Sequence, residues 1–179
     1  MAIVQTKSTP ITNRDAVPAV INDGRLERAA LRSAVGSVAV GAADSATSYY
    51  PLVQVPSTAM VRAVLATAPA GMTTLAGDIG VFKTTANSAG VTTGVAANTG
   101  SGSIFAAATS LASALNRSDV TNTNSNAYGT DKREQPLWQA IGLAADPGGF
   151  FDIGVKVTTA NTGVAGRVGL EVQYVDNGN

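Results

Sequence analysis

The pattern of apolar positions is most regular near the C-terminal end of the chain. In the segment 150–159, apolar side chains fall at every second position, at Phe151, Ile153, Val155 and Val157. In the segment 166–175, the same alternation places one face at Val168, Leu170, Val172 and Tyr174. A period of two predicts half-buried β-strands. Because the intervening residues 160–166 have an ordinary hairpin length and contain glycine, the two strands are predicted to pair as a hairpin.

Four earlier segments also show strand patterns, at 26–41, 49–56, 58–68 and 77–85. Pro51 and Pro56 favour an edge position for the second of them, since proline has no N–H to donate to a neighbouring strand. Many short strands separated by turn residues are typical of sandwiches. The sequence therefore predicts an all-β fold, a jelly-roll-like β-sandwich with one or two short helices and an extended N-terminal arm.

The two predicted helices lie in the second half of the chain. Residues 103–116 carry apolar side chains near a period of 3.6, at Phe105, Ala108, Leu111 and Leu115. Such spacing among alanines favours a helix. Pro136 suits the first position of a second helix, which would end near Gly142, with Trp138 as its anchor in the core. The turn Asp146–Gly149 would then lead into the next strand.

The first 24 residues are predicted to form the arm, and residues 25–179 the β-sandwich domain. Pro10 and Pro18 interrupt any regular period, and Asn22-Asp23-Gly24 favours a turn. The arm is nevertheless richer in apolar residues than a disordered tail. These residues are Ile3, Val4, Ile11, Val17, Val20 and Ile21. They would pack either on the chain's own body or on a neighbouring molecule, and the sequence leaves both open.

Charge is scarce and balanced along the chain. Only 13% of the residues are charged, with 12 basic and 12 acidic side chains, against about 25% charged residues in ordinary soluble domains. The surface is therefore either covered by partners or built from Thr, Ser and Asn. No basic face is present, so we expect no direct contact with nucleic acid. Arg25, Arg28 and Arg32 form the main basic cluster, which is either a solvated face or a contact with an acidic partner.

The chain lacks the side chains of most enzyme chemistry. It has no Cys and no His, which excludes cysteine nucleophiles, histidine acid–base catalysis and nearly all zinc sites. The Gly-rich segment 98–105 lacks the Gly-Lys-Ser/Thr ending of a phosphate-binding loop. We therefore expect no enzyme activity, no cofactor and no metal, unless two of the scattered aspartates converge in a cleft. With no signal-peptide core and no membrane-length apolar run, we expect synthesis in a cytoplasm and no membrane contact.

Three segments carry a family resemblance: "MAIVQTKSTPITNRDAVPAVINDG", "LWQAIGLAADPGGFFDIGVKVTT" and "GRVGLEVQYVD". Together they resemble the capsid decoration, or cement, proteins of tailed bacteriophages. The resemblance implies a jelly-roll or related sandwich located on the capsid surface of the virion. It also implies a structural role, in which the protein binds the outer surface of the capsid and cements neighbouring major capsid subunits, as a homodimer or homotrimer. No catalytic residues are carried over.

Candidate partner contacts come from the arm, from the basic cluster and from one strand. They are Ile3, Val4, Ile11, Arg14, Arg25, Arg28, Arg32, Tyr49 and Tyr50. Adjacent residues of a strand face opposite ways, so one of the two tyrosine rings should point outward, and tyrosine is enriched at interfaces. The long polar segments 84–103 and 117–131 support an alternative function, a receptor- or glycan-binding module of a tail fibre or surface lectin.

Overall fold

The computed structural model describes residues 7–27, 29–83 and 99–176. Within these ranges the strands are β1 (Leu31–Val40), β2 (Tyr49–Pro56), β3 (Met60–Ala68), β4 (Ala76–Lys83), β5 (Ala106–Ser110), β6 (Leu115–Asp119), β7 (Phe150–Thr159) and β8 (Gly166–Val175). The α-helices are α1 (Thr9–Asp15), α2 (Gly24–Glu27), α3 (Thr130–Arg133) and α4 (Leu137–Ala140), and a 3-10 turn spans Thr99–Ser103.

The strands form two four-stranded sheets whose apolar faces pack together. The first sheet has the order β1-β8-β3-β6 and the second the order β2-β7-β4-β5. All neighbouring strands are antiparallel. Two facing four-stranded sheets with these strand orders make a jelly roll. The predicted fold class, an all-β jelly-roll-like sandwich, is therefore confirmed.

The predicted C-terminal hairpin is wrong, although both of its strands exist. The alternate apolar residues of β7 and β8 point into the core as expected. However, β7 pairs with β2 and β4 in one sheet, whereas β8 pairs with β1 and β3 in the other. The connecting residues cross between the sheets, and the Asn161 side chain donates to the carbonyl oxygens of Gly41 and Val164, both at 2.9 Å. The loop has a length that a hairpin would allow, but contacts between residues distant in the sequence determine the partners of β7 and β8.

The predicted helix over 103–116 is also wrong. The 3-10 turn ends at Ser103, and the rest of the segment contributes β5 and β6. The backbone N–H of Phe105 donates to the Ile79 carbonyl at 3.2 Å, and that of Leu111 to the Leu75 carbonyl at 2.9 Å. Both side chains are buried in the core. Packing against β4 and the residues before it therefore overrides the helix propensity of the alanines.

The helix predicted from Pro136 is confirmed as the single turn α4. Pro136 precedes it, and Gly142, with a φ of 86°, ends the segment in a left-handed conformation that glycine adopts readily. The predicted anchor, Trp138, packs against the core but is only half-buried. Leu137 and Ile141 are fully buried instead, and the Leu137 N–H donates to the Ala59 carbonyl at 2.8 Å. They therefore fix α4 to the body.

A core residue comes from the segment 117–131, which the sequence suggested was a polar loop. Tyr128 is fully buried, and its ring meets that of Phe105 edge-on, with 4.8 Å between the ring centroids. Its hydroxyl donates to the Val61 carbonyl at 3.2 Å. The segment is therefore attached to the sandwich through an aromatic pair and a buried hydrogen bond. The polarity of the individual residues does not indicate this attachment.

Candidate interaction surfaces

The described part of the arm folds back on itself before the chain enters β1. Its helix α1 is not indicated by the sequence pattern, which contains two prolines. The Asn13 side chain donates to that of Asn22 at 2.8 Å, and the Val20 N–H donates to the Asn13 carbonyl at 3.0 Å. Lys7 and Asp15 form an ion pair at 2.7 Å. Polar contacts within the arm therefore shape it, and apolar burial contributes little.

The apolar side chains in the described part of the arm remain exposed to solvent. None of the α1 residues is buried. Val17 is 98% exposed and Ile21 is 95% exposed, with Val20 also exposed between them. We call these three residues the arm patch. Burying one such side chain contributes a favourable free energy of about 1.5–3 kcal/mol. Contacts with the described residues of this chain do not provide this contribution for Val17 or Ile21.

Arg62 ties the end of the arm to the sandwich. One guanidinium nitrogen donates to the Arg25 carbonyl and another to the Arg133 carbonyl, both at 2.8 Å. Arg62 lies on β3 of the first sheet, at the point where the strand shifts its register with β8. This side chain therefore holds the arm and the segment containing α3 at the same end of the first sheet.

The predicted basic contacts are spread out and largely paired within the chain. Arg25 forms an ion pair with Asp23 at 2.6 Å, and its side-chain hydrogen bonds hold the pKa of that carboxyl below its usual range. Arg14 pairs with Asp15 at 2.8 Å, again with both side chains on the arm. These contacts reduce the positive charge that an acidic partner would meet. Their role as partner contacts stays a prediction.

Arg32 has a looser pairing than Arg14 and Arg25. Its guanidinium lies 3.8 Å from the Asp176 carboxylate, and the side chain is exposed. Ile11, the remaining described apolar candidate, is exposed on α1. Three further candidates, Ile3, Val4 and Arg28, lie outside the described residues. Arg32 is therefore the described arginine of the cluster with the most freedom to meet a partner.

Tyr49 and Tyr50 face opposite sides of the second sheet, as predicted for neighbours in a strand. Tyr50 packs against the core, and its hydroxyl donates to the Asp44 carboxylate, which lowers the pKa of Asp44. The Tyr49 ring lies on the outer side, 4.6 Å from the ring of Phe82. Among the described residues its buried hydroxyl has no hydrogen-bond partner. Burial and the charge of Asp152 raise the pKa of Tyr49.

An open groove of about 570 Å³ lies on the outer face of the first sheet. Gly169 forms part of its floor and has no side chain to fill it, while Val35 and Thr67 line it from the neighbouring strands. An ion pair between Arg117 and Glu171, at 2.9 Å, closes one side. The accessible surface of the lining is mainly apolar, although Arg117, Arg167 and Glu171 contribute to it. Among the described residues, the lining includes no aromatic ring on which a sugar could stack. The groove therefore resembles a protein contact surface more than a glycan site.

The described part of the chain offers neither a metal site nor a membrane-spanning helix. Within residues 7–27, 29–83 and 99–176, no group of three or more His, Cys, Asp or Glu side chains could hold a metal ion. The described helices are all too short or too polar to cross a membrane.

Comparisons with known proteins give structural likeness without a sequence relative. No protein-family model matches the chain, and no curated protein matches it. A chain of the structure described as "Capsid of Ralstonia phage GP4" superposes with a TM-score of 0.54 at 18% identity, covering 86% of this chain and 89% of that one. This likeness shows the fold alone. A chain of "Cyanophage Pam1 capsid asymmetric unit" gives a TM-score of 0.49 at 16% identity, covering 87% of this chain and 91% of that one.

Proposed function

We propose that this protein is a structural component of a bacteriophage virion, which binds the outer surface of the capsid and cements neighbouring major capsid subunits. A fold does not determine a function by itself. The proposal is supported by the jelly-roll likeness to a chain from the capsid of Ralstonia phage GP4 and by the sequence resemblance to decoration proteins. The observation that carries it is the arm patch, in which Val17 and Ile21 are almost completely exposed among the described residues.

In this proposal the arm patch is buried against a major capsid protein. Val17 and Ile21 both follow α1 in the chain and are both exposed, and in this proposal both enter an apolar depression on a coat subunit. The sandwich, attached to the arm through Arg62, then rests on a neighbouring subunit. A protein that binds only the assembled lattice stabilises that lattice by its binding free energy at each site. Repetition over the shell multiplies the effect.

The proposal assigns the chain a binding role and no catalytic role. The carboxylates that the structure describes near tyrosines or arginines serve hydrogen bonds within the fold, as Asp44 does for Tyr50 and Glu171 for Arg117. These bonds lower the pKa values of Asp44 and Glu171, which keeps these two groups ionised. A general acid working near neutral pH needs a raised pKa. We expect the protein at the capsid surface of the virion, with the major capsid protein as its partner.

The experiment adds purified protein to phage heads that lack it and measures the bound copies per head. Val17→Asp and Ile21→Asp place a charge in the arm patch. We expect each to weaken binding by at least about tenfold, since each removes roughly 1.5–3 kcal/mol of apolar burial. Val164→Asp is the matched control, because Val164 is an exposed valine in the loop between β7 and β8. It should bind like the unchanged protein.

Two results would contradict the proposal. One is unchanged occupancy with both arm variants, which would remove the arm patch from the contact. The other is failure of the unchanged protein to bind heads at all. A specific hit on a glycan array, combined with absence from the shell, would support the receptor- or glycan-binding alternative instead.

A further inference from the structure

The four outer edges of the two sheets differ in how they are protected against pairing with another strand. The edges are β1 and β6 in the first sheet, and β2 and β5 in the second. Exposed edges invite pairing with foreign strands, and proteins usually block them with proline, bulges, charges or short length. On β2, Pro51 and Pro56 lack an N–H, and the register shifts between Pro51 and Val53. The edge of β2 is therefore blocked.

The edges β5 and β6 are blocked by other means. Each strand is only five residues long. Ala108 on β5 has a φ of 45° and Arg117 on β6 a φ of 50°, so each interrupts the extended backbone. The pairing of β5 with β4 and of β6 with β3 also shifts register. Neither strand offers another chain a regular ladder.

The edge of β1 has none of these protections. It is ten residues long, and all ten pair with β8 without a register shift. The strand contains no proline, and its single charged residue is Arg32, near one end. On the outer face of the sheet, the exposed residues of β1 include Leu31 and Val35, and Val35 is 75% exposed. Among the described residues no other strand pairs with the free side of β1.

The backbone of β1 is also held in place by its neighbours in the sandwich. Gly36 faces β2 in the other sheet, where an added Cβ would collide with the Leu52 carbonyl oxygen. The close approach leaves β1 supported by β8 beside it and by β2 beneath it. A strand supported in this way can accept a partner without first having to become ordered.

We propose that the free edge of β1 pairs antiparallel with β1 of a second copy of this chain, across a twofold axis at Val35. This inference does not depend on the proposed capsid function. Centred there, the strands overlap from Leu31 to Ala39. The facing outer pairs are then Val35 with Val35, Ser33 with Ser37, and Leu31 with Ala39. Cross-strand pairs of β-branched side chains stabilise such ladders, and the arrangement uses the same surface on both copies.

Charge does not oppose a second copy as the occupant. In this register Arg32 faces Val38 of the partner strand, so the two Arg32 side chains lie about 20 Å apart along the ladder. No like charges on the two strands therefore oppose each other. The chain as a whole carries 12 basic and 12 acidic residues, so two copies approach without net repulsion. The paired edges join two four-stranded sheets into one continuous sheet of eight strands.

Sedimentation velocity over a range of concentrations tests this pairing. We expect the unchanged protein to form a dimer of twice its 17.9 kDa mass. Val35→Lys places two like charges opposite each other at the axis and should weaken the dimer by about tenfold. Val164→Lys, at another exposed valine, is the matched control and should leave the dimer unchanged. Circular dichroism should show that both variants keep the fold, because both positions lie in solvent.

A charge exchange tests the twofold itself. Val35→Glu alone should also weaken the dimer, whereas a mixture of Val35→Lys and Val35→Glu should form the mixed dimer preferentially in native mass spectrometry. That recovery requires position 35 of one copy to face position 35 of the other. A monomer at all concentrations, an assembly unaffected by Val35→Lys, or no preference for the mixed dimer would each overturn the proposal. None of these results bears on binding through the arm patch.

Discussion

The sandwich and the arm use apolar residues in opposite ways. In the sandwich, the alternate side chains of β7 and β8 are almost completely buried between the two sheets. In the arm, Val17 and Ile21 remain in solvent, and the described helix α1 has no buried residue. The same residue types therefore stabilise the fold in one region and contribute almost nothing to it in the other. Apolar residues that the fold does not use are available to a partner.

The largest effect should come from the core of the sandwich. Phe105→Ala removes a fully buried ring that packs on Tyr128. We expect it to lower the free energy of unfolding by about 3–5 kcal/mol, because the cavity cannot close completely. Urea denaturation followed by tryptophan fluorescence measures this change. A loss below about 1 kcal/mol, typical of a surface substitution, would contradict the assignment of Phe105 to the core.

The two adjacent tyrosines should respond in opposite directions to loss of the hydroxyl. Tyr50→Phe removes the hydrogen bond to Asp44 and should lower the free energy of unfolding by about 1 kcal/mol. Tyr49→Phe removes a buried hydroxyl that has no partner among the described residues, so it should be neutral or stabilising by about 1 kcal/mol. Thermal denaturation of both variants measures the difference. Equal destabilisation by both would contradict these contacts.

The hydrogen bond to Asp44 should also appear in the pH dependence of stability. The hydroxyl of Tyr50 and the N–H of Gly41 lower the folded-state pKa of Asp44 below its value in the unfolded chain. The stabilisation is therefore fully present above an unfolded pKa of about 4 and is lost as the pH falls through the folded-state value. Asp44→Asn should flatten this part of the acid unfolding curve. An unchanged slope would exclude a contribution from Asp44.

The smallest effect on stability should come from the arm. Deleting residues 1–22 removes Val17 and Ile21 and, among the described residues 7–22, no buried core residue. We expect the free energy of unfolding to change by less than about 1 kcal/mol, while binding to phage heads is lost. Denaturation and occupancy measured on the same preparation separate the two effects. A large loss of stability would show that the arm belongs to the fold, and would remove the contrast between the two regions.

Several features of the fold could be predicted from local pattern alone. The alternation along β7 and β8 indicates both strands and their buried faces, and the prolines of β2 indicate an edge. Pro136 and Gly142 indicate a short helix between them, observed as α4. In each case a few neighbouring residues determine the conformation. The all-β fold class follows from the number of such strands.

Strand pairing and exposure could not be predicted in the same way. The assignment of β7 and β8 to different sheets depends on contacts with β2 and β3, which are distant in the sequence. Buried contacts with Ile79 and Leu75 likewise turn the alanine-rich segment into strands. The sequence also left open whether the arm packs on its own body, since hydrophobicity does not reveal what a side chain touches. The exposure of Val17 and Ile21 answers this for the described arm residues.

The most direct test of the central claim is an electron cryo-microscopy reconstruction of the virion. The account predicts jelly-roll density on the outer capsid surface, with the side chains of Val17 and Ile21 buried against a major capsid subunit. Absence of the protein from the shell would contradict it. So would a bound protein whose arm patch remains in solvent while other surfaces make every contact with the coat.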